Sequence, residues 1–348
     1  MNKKSRLILV DGSAYIFRAY YALPPMTRKD GVPINAVFGF TNMLVKLIED
    51  YQNEKMIVVF DAARENFRNQ IYKEYKANRG ETPEDLIPQF DLIRKCVEAF
   101  KIPQLEISGY EADDIIASYT KIASSKNFDS LIVSSDKDLM QLVNDRVEML
   151  DPMKNKIITS KEVFEKFGVE PNKVIYIQAL TGDKIDNIPG APGIGPKTAL
   201  ELINNFNDID GLLKNVNKIK QENRKKTIIN SAKDIRVSLE LVKLKSDIKL
   251  PYKLEDIKTY SELKEKNQTI FDFLNNQGFK TISERLQKNA FVINDIVLNK
   301  NDPNKKSEYK LINSKKDLEN LIDNLNKIGF CSIDTETTSL NIESAKLI

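Results

Sequence analysis

The 348-residue sequence has no histidine and only two cysteines, Cys96 and Cys331. Without histidine there is no imidazole base and no His-ligated zinc, and so few cysteines exclude a disulfide framework and fit a reducing cytoplasm. No stretch approaches the ~20 consecutive apolar residues of a membrane span. Met1-Asn2-Lys3-Lys4 is basic, but the apolar run after Arg6 is broken by Asp11, so no signal peptide is read. Neither charge sign dominates: 53 Lys and Arg stand against 50 Asp and Glu, a net +3, so any anionic partner must be inferred from the distribution of charge. Internal repeats, low-complexity tracts and a Walker-type phosphate loop are missing as well. What is present, 41% hydrophobic and 30% charged residues, describes an ordinary soluble chain long enough for two or more domains.

Residues 6 to about 180 alternate strand-like and helix-like segments, the pattern of an α/β fold with a mostly parallel sheet flanked by helices. Strands are expected at Leu7–Val10, Met56–Phe60, Gln104–Ile107, Ser130–Ser134 and Arg146–Leu150. Helices are expected at Ala36–Glu49, at Pro83–Phe100 with Thr82 as cap, at Glu111–Ser124 and at Pro171–Leu180. Acids gather at one edge of this arrangement. The first strand runs into Asp11, the second into Asp61 and the fourth into Asp136 and Asp138, while Glu111, Asp113 and Asp114 occupy the first turn of a helix. Ligands of open α/β sheets bind outside the carboxyl ends of the strands.

Any one of these acids could simply cap a helix or sit in a turn. Their repetition argues for a site. Converging carboxylates raise one another's pKa values and need a neutralising cation; oxygen-only ligands favour Mg²⁺ or Mn²⁺. With no histidine available, metal-activated water is the natural hydrolytic device, with Lys or Tyr as helpers.

Two further stretches carry information. Arg64 to Arg79 is dense in Lys and Arg with Tyr72 and Tyr75 interleaved, either a grip on single-stranded nucleic acid or a solvated amphipathic helix. In residues 181–200, Asp183 and Asp186 are spaced like residues on one helical turn. Gly193-Ile194-Gly195-Pro196-Lys197 then opens a helix-like run. Glycines permit close backbone approach, and amides at a helix start attract anions, although a short Gly-rich turn is often only a connection. From about 208 to 246 the pattern is helical and basic.

The segments VDGSAYIFRAYYAL, VVFDA, YKANR, GYEADD, SSDKDLMQL and TGDKIDNIPGAPGIGPKTA resemble, in order, the motifs of the 5′ nuclease domain of bacterial DNA polymerase I, within the flap-endonuclease superfamily. The resemblance covers about residues 5 to 290. It implies a PIN-like metal-binding α/β core over 1–180 with an arch near 64–82, and a helical helix-hairpin DNA-binding region over 181–290. It implies a structure-specific nuclease that removes 5′ flaps and RNA primers in replication and repair. By the same resemblance Asp11, Asp61, Glu111, Asp113, Asp114, Asp136, Asp138, Asp183 and Asp186 are the metal acids. Lys76 and Arg79 are the basic pair that steers the scissile phosphate, with Arg18 and Tyr21 near the substrate; Tyr72 and Tyr75, read from their basic stretch, are expected to stack on DNA bases. Gly193, Gly195 and Lys197 match the hairpin that holds the duplex backbone, often with K⁺. The mechanism expected is two-metal in-line hydrolysis by Mg²⁺ or Mn²⁺, with the ions ~3.5–4 Å apart. A monomeric, cytoplasmic protein associated with the nucleoid is expected.

Residues 296–309 have the polar look of a linker. From Tyr309 the pattern reads strand, helix, strand, and Asp334-Thr335-Glu336 resembles the first motif of a 3′–5′ exonuclease domain, with Asp334 and Glu336 as metal ligands. A piece of a longer polymerase, or a shortened gene product, is the expectation; 3′–5′ degradation and primer extension should be absent from this chain. Two rival classes are a non-catalytic DNA-junction binder, separated by metal-dependent turnover, and a related metal-dependent ribonuclease, separated by comparing RNA with DNA flaps.

Overall fold

The computed structural model describes residues 5–62, 65–263, 268–288, 311–328 and 338, in two compact units, Met1–Gln287 and Lys288–Ile348. In the first, the alternating pattern builds a 6-stranded sheet in the order β3-β2-β1-β4-β5-β6. The strands are β1 (Arg6–Asp11), β2 (Lys55–Val59), β3 (Gln104–Leu105), β4 (Asp129–Val133), β5 (Val147–Asp151) and β6 (Lys156–Ile158). The β1 to β5 pairings are parallel and β6 runs antiparallel to β5. β3 is shorter than the run Gln104–Ile107 suggests. β6 escapes a sequence reading because its few residues follow a polar turn.

The chain leaves β1 to build β2 and β3 on one side, then returns to build β4 and β5 on the other. This makes the C-terminal end of β1 the topological switch point, where open sheets place ligands. Register sets Asp11 level with Val59, and Val10 level with Val133. Asp11 and the residues just past β2 and β4 therefore emerge side by side.

Among the described residues the α-helices before residue 182 are α1 (Gly12–Ala22), α2 (Asn35–Tyr51), α3 (Phe67–Ile71), α4 (Ile87–Ala99), α5 (Ala112–Ser125), α6 (Ser160–Phe167) and α7 (Val174–Thr181). Successive strand side chains point to opposite faces. Ile8, Val10, Val58 and Phe60 pack with Ile16, Phe40 and Ile93 of α1, α2 and α4. Leu7, Leu9, Ile57 and Val59 pack with Ile115, Tyr119 and Ile177 of α5 and α7. Both faces of β1 are thus buried, which is why it reads as an unbroken apolar run.

Three local expectations change. The helix expected from Pro83 starts at Ile87, because Leu86 closes a turn onto the Pro83 carbonyl at 2.9 Å and Pro88 takes the first-turn proline position. The basic stretch 64–79 is not one amphipathic helix: α3 is followed by turns, with Lys76 at φ 56°. Asp183 and Asp186 are not on a helix either. α7 stops at Thr181, Gly182 takes φ 65°, and Asp183 and Ile188 exchange backbone hydrogen bonds of 3.0 and 2.7 Å across a tight turn.

That turn closes against Gly190, at φ 62°, where a Cβ would lie 2.4 Å from the Gly182 nitrogen. Gly190→Ala combines a left-handed backbone with a backbone clash, and is expected to destabilise the protein by about 2–4 kcal/mol, read as a lowered urea midpoint. An unchanged midpoint would contradict this packing.

Beyond the turn come α8 (Pro196–Phe206), α9 (Ile209–Lys214), α10 (Glu222–Asn230) and α11 (Ala232–Val242). Ile203, Leu212, Ile228 and Ile235 join the same apolar cluster as the α5 face of the sheet. In the second unit the described structure is the helix Lys315–Ile328. The linker 296–308, Asp334 and Glu336 lie outside the described residues. Among the described residues no helix is long and apolar enough to cross a membrane.

Candidate active site

Serines organise the acids at the switch point. Asp11 caps α1, its Oδ1 accepting from the Ala14 amide at 3.0 Å, and its Oδ2 accepts from the Ser134 hydroxyl at 2.8 Å. That hydroxyl also accepts from the Asp136 amide at 3.0 Å, and Asp136 Oδ1 accepts from the Asp138 amide at 2.9 Å. On the other side the Asp61 amide donates to Ser13 Oγ at 2.8 Å, while Asp61 Oδ1 accepts from the Ala112 amide, at the start of α5, at 2.8 Å. Asp113, in the first turn of α5, lies in the same field as Asp136, Asp11, Glu111 and Asp138. Ser13 and Ser134, which sequence reasoning passed over, thus tie the ends of β1, β2 and β4 together.

Burial pushes Asp11 up to about 7, with Asp61 and Asp136 adding to the effect. Burial and then Asp136 likewise raise Asp138 to about 7. Asp113 is raised well above the usual carboxylate range by burial, then by Asp136, Asp11, Glu111 and Asp138. Among the described residues no ion pair reaches Asp11, Asp61, Asp113, Asp136 or Asp138; the neighbouring cations are bound to other acids. Nor do any three of the described carboxylates already converge as a finished metal cage. A set of oxygen donors, mutually repelling and without an ion-pair partner, with Lys137 offsetting only part of the repulsion at Asp138, has the chemistry of a site for hard divalent ions.

The sign of the resulting pH dependence follows. Asp11 and Asp138 titrate near 7 in the folded chain against an ordinary 3.8. Their stability contribution is complete below about pH 4 and is lost as pH rises through about 7. In EDTA the melting temperature is therefore expected to fall across that window. Mg²⁺ is expected to restore it, by about 2.7 kcal/mol at a hundredfold excess over the dissociation constant. Thermal melts with and without Mg²⁺ check this, and a profile indifferent to both pH and metal would contradict it.

A second group of acids is already partnered. Glu111, the N-cap of α5, binds Lys76 Nζ, and accepts from Tyr75 Oη at 3.1 Å and Asn66 Nδ2 at 3.1 Å. Burial raises its pKa, but Lys76 and Arg68 outweigh that and the net shift is downward. Asp186 accepts from Arg79 Nε at 3.0 Å, and Lys76 Nζ stands 3.9 Å away. Asp183 binds Lys137, whose ammonium likewise overcomes burial to hold that carboxylate below its usual range. Lys137 was not anticipated, nor was Gln178, whose amide donates to Asp138. A cleft of about 950 Å³ opens beside these groups, lined by Asp61, Glu111, Lys76, Arg79, Tyr21 and Ile185 among others.

Asp114 joins neither group. It is fully buried, and both its oxygens bind Arg68, at 2.6 and 2.8 Å. Neighbouring positions on a helix point about 100° apart, so Asp113 and Asp114 cannot share a surroundings. Tyr75 also departs from expectation: its ring is 5% exposed, so it offers no stacking face and acts through its hydroxyl on Glu111. Tyr72 is half-buried against the core. Arg18 and Tyr21 stand on the exposed side of α1, Tyr21 at 72% exposure. Gly193, at φ 74°, and Gly195, the N-cap of α8, face open space, and Lys197 beside them is exposed.

Residues 6–168 match the model of the 5′–3′ exonuclease N-terminal resolvase-like domain, and residues 169–266 that of the 5′–3′ exonuclease C-terminal SAM fold. The chain is 39% identical over 268 residues to a 5′–3′ exonuclease of Aquifex aeolicus, covering 76% of this chain and 91% of that one. It is 47% identical over 294 residues to a DNA polymerase I of Rhizobium leguminosarum, covering 82% of this chain and 29% of the relative. The chain thus spans less than a third of that polymerase. A DNA polymerase I of Borreliella burgdorferi aligns with 98% of this chain and 39% of its own length, at 35% identity. Among solved structures, the fold is shared with T5 5′-exonuclease, solved with zinc ions bound, at TM-score 0.59 and 24% identity over 68% of this chain and 89% of that one.

Proposed function

Since the chain belongs to the 5′–3′ exonuclease and flap endonuclease family of the DNA polymerase I type, whose members are metal-dependent nucleases, we propose that it hydrolyses phosphodiester bonds at DNA 5′ flaps, frayed or nicked 5′ ends and RNA primers, using two Mg²⁺ or Mn²⁺ ions. The observation that carries this is the set of mutually repelling carboxylates without ion-pair partners at the sheet's switch point, beside a cleft that also holds Lys76 and Arg79.

Asp11, Asp61, Asp113, Asp136 and Asp138 would hold the ions. Bound there, divalent ions supply an acidified water and a counter-charge for the leaving 3′ oxygen. Glu111, Asp183 and Asp186, paired here with Lys76, Lys137 and Arg79, would add to that set if those cations were drawn to the phosphates of bound DNA. Lys76 and Arg79 then place the scissile phosphate and offset charge that grows in the transition state. Arg18 and Tyr21, exposed on α1, guide the 5′ strand. Gly193, Gly195 and Lys197 would present backbone amides and a cation to the duplex, and the same turn would hold K⁺, a contact indifferent to sequence and sensitive to salt. The division into a nuclease core up to residue 180 and a helical DNA-binding region after it follows the same roles, as does a cytoplasmic place beside the chromosome.

A 5′-labelled flap duplex with purified protein, in Mg²⁺ and in EDTA, tests this directly. Cutting near the junction in Mg²⁺ alone is the expected result. Flap binding without cutting in either Mg²⁺ or Mn²⁺ would leave a junction binder, and cutting confined to RNA flaps would leave a ribonuclease.

A further inference from the structure

We propose that Arg68 is a positioning residue of this nuclease site and that Asp114 is its buried anchor, not a metal ligand; the proposal rests on the nuclease function above. A carboxylate that ligates must turn an oxygen to the cleft, and Asp114 has none to spare. Its Oδ1 accepts from Arg68 Nη2 at 2.8 Å and from the Lys245 amide at 2.9 Å. Its Oδ2 accepts from Arg68 Nη1 at 2.6 Å and from the Glu111 amide at 3.2 Å. The residue is 0% exposed.

Arg68 spends its remaining donors on two other parts of the molecule. Nε donates to the Leu241 carbonyl of α11 at 2.7 Å, and Nη2 approaches the Lys243 carbonyl at 3.4 Å. Nη1 also stands 3.4 Å from Glu111 Oε2. One guanidinium therefore joins α3, the first turn of α5 and the segment that leaves α11. α3 leads within a few residues to Tyr75 and Lys76, both bound to Glu111. The first turn of α5 carries Glu111 and Asp113. Moving this joint shifts the basic arm, the acids and the helical region against one another. Only a planar fork with fixed donor directions satisfies all the acceptors; a lysine keeps the charge and loses the geometry.

The test compares Arg68→Lys, Asp114→Asn and their double variant in the full chain, at a temperature where circular dichroism shows each folded. Misplaced reacting groups are expected to lower kcat on a flap duplex about tenfold or more in both single variants, with KM within about threefold. The double variant is expected to be no slower than the worse single, since the two residues act as one unit. Calorimetric titration with Ca²⁺ alone is expected to shift affinity by the same factor in both singles. Affinity lost in Asp114→Asn but kept in Arg68→Lys would make Asp114 a ligand and overturn the proposal. Effects that multiply in the double variant, or an undiminished kcat in folded Arg68→Lys, would overturn it too. If Arg68→Lys does not fold, Asp114→Asn, which keeps an acceptor oxygen, decides by its Ca²⁺ affinity: loss as deep as that of Asp113→Asn refutes the anchor. A wild type that does not cut flaps is a failure of the nuclease function, whereas a cutting wild type with these variant results is a failure of this inference.

Discussion

Asp113→Asn is expected to lower flap cleavage by about 10³-fold or more and at the same time to raise the melting temperature in EDTA at neutral pH. The two effects share one cause. Asp113 is kept against burial and against Asp136, Asp11, Glu111 and Asp138, all of which oppose its charge. Replacing it relieves the folded state, because a carboxyl whose pKa is raised on folding destabilises the fold at any pH above its ordinary, unfolded value. It also removes an oxygen donor from the proposed metal site. An acid that only capped a helix would give the opposite pair of results: lost stability and intact turnover. Single-turnover cleavage and thermal melts on the same preparation decide between them. A stabilised variant with undiminished cleavage would remove Asp113 from the site.

Lys76→Met is expected to give the second large effect, a fall of about 10²-fold in kcat. Lys76 binds Glu111, stands 3.9 Å from Asp186, and lines the cleft. The position is specific, since its backbone amide donates to the Asp186 carbonyl at 2.9 Å and its φ of 56° holds a tight turn. Glu111 is held below its ordinary pKa chiefly by Lys76 and then by Arg68. That stabilisation is present above the ordinary Glu pKa and is lost as pH falls through the lowered folded value. The stability gap between wild type and Lys76→Met should therefore be widest near neutrality and close in acid. A variant that cleaves normally, or a gap that widens in acid, would refute the assignment.

Much of the site could be read from the chain. β1, β2 and β4 are buried on both faces, so they appear as apolar runs, and the acid that follows each run marks where the strand leaves the core. The absence of histidine narrowed the chemistry to oxygen ligands and metal. Other features were hidden by distance along the chain. Asp114 is adjacent to Asp113 and chemically identical to it, yet its partner Arg68 comes from 46 residues earlier and Arg68 in turn binds a carbonyl 173 residues later. Tyr75 lies in a basic, aromatic stretch that suggests base stacking, and only packing shows its ring enclosed. The turn bearing Asp183 and Asp186 keeps helical spacing in sequence, while Gly182 and Gly190, at positive φ, bend it into a hairpin.

The sequence by itself determined the α/β order and the inventory of acids, with oxygen as their donor atom, because these depend on local periodicity and on side-chain chemistry. The tertiary structure alone decided which acids stand uncompensated, which are held by Lys76, Arg79 and Lys137, and which is sealed inside with Arg68. A carboxylate's role is set by the charges and solvent around it, and in a folded chain those are supplied by residues far away in sequence.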